Sequence, residues 1–257
     1  MRHILLSFDV EEFDMPLEYN QPIALSEQLE IGRLGLEAIM PFLKDKNITA
    51  TLFTTATYAI HFPDTIRQLA TQHEIASHTY YHSEFENKHL LASKLKLEAI
   101  TGKPVTGLRM PRMRKVEMSE VIKAGYAYDS SINPTWLPGR YNNRHLPRTK
   151  YIDDGMVRIP ASVSPNLRIP LFWLAFKNFP YAAFKSLALQ TLRKDSYICL
   201  YFHPWEFTDA IKETALPVYT KRWCGQQLVD RLGWLIKDLA KEGEFVSMQQ
   251  WLEDGYL

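Results

Sequence analysis

Two cysteines, Cys199 and Cys224, are all that the 257 residues contain. Two cannot build a disulfide framework, so nothing in the composition demands an oxidising compartment. Neither sign of charge is in excess: 30 basic and 29 acidic side chains leave a net charge of +1. That balance gives no electrostatic reason to expect nucleic acid as a partner. Long hydrophobic runs are missing too. The nearest, IPLFWLAFKNFPYAAF over 169–184, is broken by Lys177, Asn178 and two prolines, and reads as a buried or lid-like excursion with no stable membrane insertion. Residues 1–10 hold a short apolar stretch without a small-residue cleavage site, running straight into acids. That is unlike a secretory leader, and the expectation is a cytoplasmic protein. No internal repeat or low-complexity tract occurs.

What is present is an alternation of strand and helix patterns from end to end. Apolar and β-branched runs predict strands at 3–10, 49–55, 74–78, 108–110, 127–132, 156–162, 197–203 and 245–248. Helical spacing predicts helices at 26–46, 64–71, 84–100, 119–124, 181–193 and 225–241. From 133 to 155 the pattern dissolves into Pro, Gly, Asn and Arg, a long loop of the kind that often carries function. The whole predicts a single α/β domain over 1–257, a parallel barrel or a doubly wound sheet, with inserted loops at about 133–155 and 163–180. In either architecture chemistry sits at the carboxyl ends of strands.

Asp9, His78, Arg109, Asp129 and His203 all fall at or just after the ends of predicted strands. Asp9 and Glu11 fit a metal ligand and a base, but taken alone the pair reads as an ordinary acidic strand end. His78 and His82 are four apart, which on a helical turn places both rings on one side, ready to grip one metal. His203 suits a general acid or an oxyanion stabiliser, and Glu206 is close enough in sequence to orient it. Arg109 suits a clamp on a carboxylate, and Asp129 a partner for Arg109 or for a histidine. Divalent-metal hydrolysis needs this inventory of ligands, base and acid.

The order Asp9, His78-Thr79-x-x-His82, Arg109-x-Pro111, Asp129, His203-Pro204 resembles the NodB-homology polysaccharide deacetylases, carbohydrate esterase family 4, from about residue 4 to about residue 251. The resemblance implies a distorted (β/α)7-type barrel. It implies a divalent metal, most commonly Zn²⁺, held by Glu11, His78 and His82. Asp9 would be the base, supported by Arg109, and His203 the acid, oriented by Asp129. The reaction would remove an N-acetyl group from an acetylated sugar, free or lipid-linked, and release acetate. The chain departs from the family in three places. Val10 follows Asp9 where many members carry a second aspartate, leaving Glu11, then Glu12, then Asp14 as candidates for the carboxylate ligand. Arg112 and Met113 stand where an aromatic and a glycine are usual. The loop 133–155 is enriched in Trp136, Arg140, Tyr141, Asn142 and Asn143, which suit sugar faces and hydroxyls or a packed surface loop. Two other readings share the fold: a deformylase or amidohydrolase acting on a different C–N bond, and a non-catalytic carbohydrate-binding protein.

Overall fold

The computed structural model describes residues 1–255. The apolar run at the start forms the strand His3–Val10, buried along its whole length. It pairs in parallel with Tyr197–Phe202 on one side and with Thr51–Thr54 on the other. From there parallel pairing steps through Glu74–Ser77, Gly107–Leu108, Tyr128–Asp129 and Met156–Arg158. Strands covered on both faces favour apolar runs, and the two longest, His3–Val10 and Tyr197–Phe202, are predominantly apolar. The chain beyond Met156–Arg158 curls back to the opposite edge. The Ser162 N–H donates to the Cys199 carbonyl at 2.9 Å, and the Cys199 N–H donates to Ser162 Oγ at 2.8 Å. The sheet is thus the curled, distorted barrel expected, with a seam bridged by few hydrogen bonds.

Period two sorts the first strand. Leu5 joins Phe53, Ala76, Tyr128 and Cys199 in the inner cluster, whereas Ile4, Leu6, Phe8 and Val10 pack with the helices. Ser7 and Asp9 follow Leu5 in phase and carry polar groups into the interior.

Several expectations shift. Pairing at 245–248 stops after Glu244–Phe245, because Ser247 caps a helix, Met248–Glu253, that the pattern did not reveal. The predicted strand 127–132 pairs regularly only over Tyr128–Asp129. The loop 133–155 is not featureless. Trp136–Leu137 pairs antiparallel with Tyr141–Asn142, and Tyr151–Asp153 with Met156–Arg158. The second hairpin turns at Asp154-Gly155, both with positive φ, a turn dipeptide legible in the sequence. The run 169–184 is packed: Trp173, Phe176 and Lys177 of the helix Trp173–Asn178 are buried. Among the described residues no helix is long and apolar enough to cross a membrane. Both cysteines are buried and free.

Two glycines inside the helix Leu25–Leu43 set how closely it approaches the strand ends. A Cβ on Gly32 would lie 2.6 Å from the Glu11 carbonyl oxygen, and one on Gly35 would overlap the backbone of Pro204. Glycine in a helix interior costs about 1 kcal/mol relative to alanine, so close approach is what these positions gain. Gly35→Ala is expected to lower stability by about 1–3 kcal/mol, because the atoms it meets are backbone and cannot swing aside. It should also displace the turn after His203. Gly233→Ala, where a Cβ meets only the Phe42 ring at 3.4 Å, should be neutral or stabilising. Thermal unfolding of the two variants checks the contrast, and equal melting points would refute it.

Candidate active site

Three side chains converge just beyond the strand ends. Glu11 Oε2 lies 3.0 Å from His78 Nε2 and 3.0 Å from His82 Nε2, and all three residues are buried. The far nitrogen of each ring is engaged. His78 Nδ1 lies 2.8 Å from the Arg109 carbonyl, which can only accept, so Nδ1 carries the proton. His82 Nδ1 lies 2.6 Å from Asp14 Oδ1. In the neutral rings both Nε2 lone pairs therefore face Glu11 Oε2, which has no hydrogen-bond donor. Three buried acceptors aimed at one another require a positive charge between them. Electrostatics say the same. Burial would raise the Glu11 carboxyl, yet His82 and His78 hold it well below the usual range. Burial would lower His82, yet Glu11 and Asp14 take it up to about 10. This donor set fits a divalent cation, and Trp205 Nε1 fixes its carboxylate by donating to Glu11 Oε1 at 2.9 Å.

The histidines meet by a route other than the helical turn expected. Thr79 lies at φ 64°, in the left-handed region that a β-branched residue rarely enters. Its carbonyl accepts from the Ala56 N–H at 3.0 Å, and its Oγ1 donates to the Tyr81 carbonyl at 2.9 Å. The reversed chain brings His82 back beside His78, ring centroids 5.5 Å apart. Glu12 holds the turn, accepting from the His82 N–H at 3.0 Å and from Thr55 Oγ1 at 2.6 Å. Of the three carboxylates considered as ligand, Glu11 faces the imidazoles, Glu12 braces the backbone, and Asp14 orients His82.

Asp9 stands beside this cluster. Arg109 donates from Nη1 to Asp9 Oδ1 at 2.6 Å and to Ser7 Oγ at 2.9 Å, and from Nε to the Ser130 carbonyl at 3.1 Å. The guanidinium is wholly buried and lies over the Phe53 ring at 4.0 Å. Asp9 Oδ2 is 3.8 Å from His203 Nε2 across the cleft. His203 stacks on Trp205 and meets the edge of Trp173. Its Nδ1 lies 3.1 Å from Glu206 Oε1. Burial would lower the His203 pKa, but the Glu206 hydrogen bond and the charges of Glu11, Glu206 and Asp9 outweigh it, and the net shift is upward.

Asp129 is not where the family pattern would put it. It accepts from Arg158 Nε at 2.9 Å, from the Ser131 N–H at 3.0 Å and from Ser131 Oγ. Among the described residues it makes no hydrogen bond or ion pair with His203. Ser131 Oγ in turn accepts from the Met110 N–H at 2.8 Å, so Asp129 steadies the Arg109-Met110-Pro111 segment. Glu206 occupies the place beside His203, backed by the buried Lys177, whose Nζ lies 3.5 Å from Glu206 Oε2. Lys177 and Trp205 carried no assigned role in the sequence, and only the tryptophan following His203-Pro204 offered a local signal.

The cleft holds about 300 Å³, walled by Asp9, Glu11, His82, His203 and Trp205 and by Met15, Met110, Leu137, Tyr141 and Leu174. Comparison with known proteins agrees with the geometry. Residues 31–128 match the family described as Polysaccharide deacetylase, and residues 130–253 match a Domain of unknown function (DUF3473). The two stretches meet inside one sheet, where Tyr128–Asp129 pairs with Met156–Arg158. No match to a curated protein was found. A protein from Mycobacterium smegmatis classed as a polysaccharide deacetylase is 19% identical, with a TM-score of 0.66 over 98% of this chain and 89% of its own. One from Pseudomonas aeruginosa PAO1, of the same class, is 15% identical, with a TM-score of 0.67 over 99% and 92%. PuuE allantoinase is 16% identical, with a TM-score of 0.64 over 99% and 91%. At these identities the structures speak for the fold, and the family match speaks for the stretch that carries His78, His82 and Arg109. Residues 31–128 are thus a polysaccharide deacetylase domain by sequence, of the class of hydrolases that act on the N-acetyl amide bonds of carbohydrates, and the chain as a whole has the fold of such proteins.

Proposed function

We propose that the protein is a metal-dependent N-deacetylase that releases acetate from an acetylated amino sugar within a glycan or glycan intermediate. The observation that carries this reading is the convergence of Glu11 Oε2 with two imidazole Nε2 atoms whose other nitrogens are already engaged. Glu11, His78 and His82 would hold the ion, with Zn²⁺ as the expected occupant of a His₂-carboxylate site. When bound, such an ion polarises a carbonyl and acidifies water. Asp9, held in place by the buried Arg109, takes the proton of the attacking water. His203 stands opposite and protonates the departing amine, with Glu206 fixing its ring through Nδ1 so that Nε2 faces the cleft. The rings of Trp173, Trp205 and Tyr201 pack around His203 and hold its position.

The test is acetate release from N-acetylated chitotetraose after reloading with zinc, cobalt or nickel, with allantoin as a comparison substrate. Release from the sugar supports the reading. Turnover of allantoin alone, or of neither, overturns it.

A pH prediction follows from Glu206. A proton donor is active while protonated, so the upward shift of His203 carries the basic limb of the kcat/KM profile above that of an ordinary histidine. Removing the charge in Glu206→Gln leaves burial as the leading influence, and the basic limb is expected to move to lower pH. An unmoved limb would remove His203 from the donor role.

A further inference from the structure

Beside the catalytic cleft lies a second groove of about 520 Å³, a size that small ligands occupy, about 300–1,000 Å³. Arg112, Met113, Arg140 and Tyr141 form walls of both. The two spaces differ in charge. The cleft is lined by the carboxylates of Asp9, Glu11, Asp14 and Glu18. The groove is lined by Arg112, Arg114, Lys115, Arg140 and Arg158, against only Glu117 and Asp153. In a chain of net charge +1 this is a local accumulation, not a bulk property.

The five cations are not equally available. Arg158 is committed to Asp129 and Asp153, and Arg112 to Asp14 and Glu18. Arg140, with its side chain 52% exposed, makes one long contact with Glu18 at 3.3 Å. Arg114 reaches only the Ser83 carbonyl at 3.4 Å and the Phe85 ring. Neither Arg114 nor Lys115 pairs with a carboxylate among the described residues. The Tyr151 hydroxyl in the same wall is buried without a partner. Two open guanidiniums offer planar forks that match carboxylate and phosphate oxygens, and cations gathered in a half-enclosed groove concentrate the field on a bound anion.

We propose that this groove binds an anionic group on the sugar unit adjoining the one being deacetylated, so that the substrate is an acidic glycan. The inference rests on the deacetylase reading, and it assigns each space its partner. A neutral acetamido sugar enters the carboxylate-lined cleft, and its anionic neighbour lies against Arg114, Lys115 and Arg140.

The experiment compares kcat/KM for acetate release by the zinc-loaded full chain from three substrates. They are neutral N-acetylated chitotetraose, the same oligosaccharide carrying a terminal phosphate, and a heparosan tetrasaccharide in which glucuronate alternates with N-acetylglucosamine. At least one anionic substrate is expected to be preferred about tenfold or more, chiefly through KM, with the preference shrinking as salt is raised. Preference for the phosphate or for the uronate identifies which anion the groove takes. Reversing two charges in Arg114→Glu/Lys115→Glu should cut the anionic-to-neutral ratio about tenfold, and because a ratio is read, a general loss of folded enzyme cancels. Equal rates on all three substrates, or a ratio untouched by charge reversal, would overturn the proposal while leaving the deacetylase reading intact. If none is turned over, fluorescence polarisation with the labelled tetrasaccharides decides. Anion-dependent binding lost in the double variant supports the groove although the deacetylase reading fails, and no binding overturns the groove as well.

Discussion

His78→Ala is expected to remove the bound ion and to lower deacetylation about 10³-fold or more. Lewis-acid assistance supplies several kcal/mol of transition-state stabilisation, and each 1.4 kcal/mol is a factor of ten in rate. The site needs all three donors. Glu11 Oε2 and both Nε2 atoms lie within 4.8 Å of one another, and taking one away leaves a two-ligand site. Elemental analysis should find about one divalent ion per chain in the parent protein and none in His78→Ala or His82→Ala. Asp14→Asn is expected to behave differently. It removes a carboxylate that orients His82 through Nδ1 and also accepts from Arg112 but leaves all three ligands, so metal affinity should fall about 10–100-fold while activity returns at high metal concentration. Full metal occupancy and undiminished turnover in His78→Ala would sink the assignment.

Arg109→Met is expected to cost both fold and function. The guanidinium is fully buried and satisfies Asp9, Ser7 and Ser130 at once. Burial would lower its pKa, but Asp9 more than compensates and holds the charge. Breaking a buried pair from one side strands the other charge, at about 3–5 kcal/mol. The expected loss of stability by denaturant unfolding is of that order, with a fall of about 10²–10³ in kcat/KM. Arg109→Lys should recover little of either, since a single ammonium cannot serve Asp9, Ser7 and Ser130 with the same fixed fork. A stable, active Arg109→Met would show that Asp9 does not depend on this partner.

The two variants probe different kinds of information. His78, His82, Asp9, Glu11, Arg109 and His203 were legible because each closes or follows an apolar run, and strand ends are where parallel α/β sheets place chemistry. The partners of these residues were not legible. Asp14 lies 68 residues from His82, and nothing in the local pattern links it to that imidazole. Asp129 sits at a strand end like the others, yet Arg158 and Ser131 claim it. Glu206, three residues beyond His203, wins the place beside the imidazole because a short helical turn, Pro204–Phe207, folds it back. Local reading named Glu206 as a candidate, but only packing could choose between it and Asp129.

By itself the sequence determined the α/β class of fold, the strands and helices that alternate along the main sheet, and the side chains offered to its carboxyl edge. These follow from periodicity and from residue type, which are properties of neighbours along the chain. Only the tertiary structure decided which carboxylate faces the two imidazoles, which acid holds His203, and how the cations of the segments 109–115 and 133–158 gather into one groove. Those outcomes depend on Thr79 reversing the chain, on Gly32 and Gly35 admitting the helix Leu25–Leu43 against the site, and on two hairpins, one lining the cleft and the other the groove beside it. Each joins residues far apart in sequence, and distance along the chain carries no record of which pairs packing brings together.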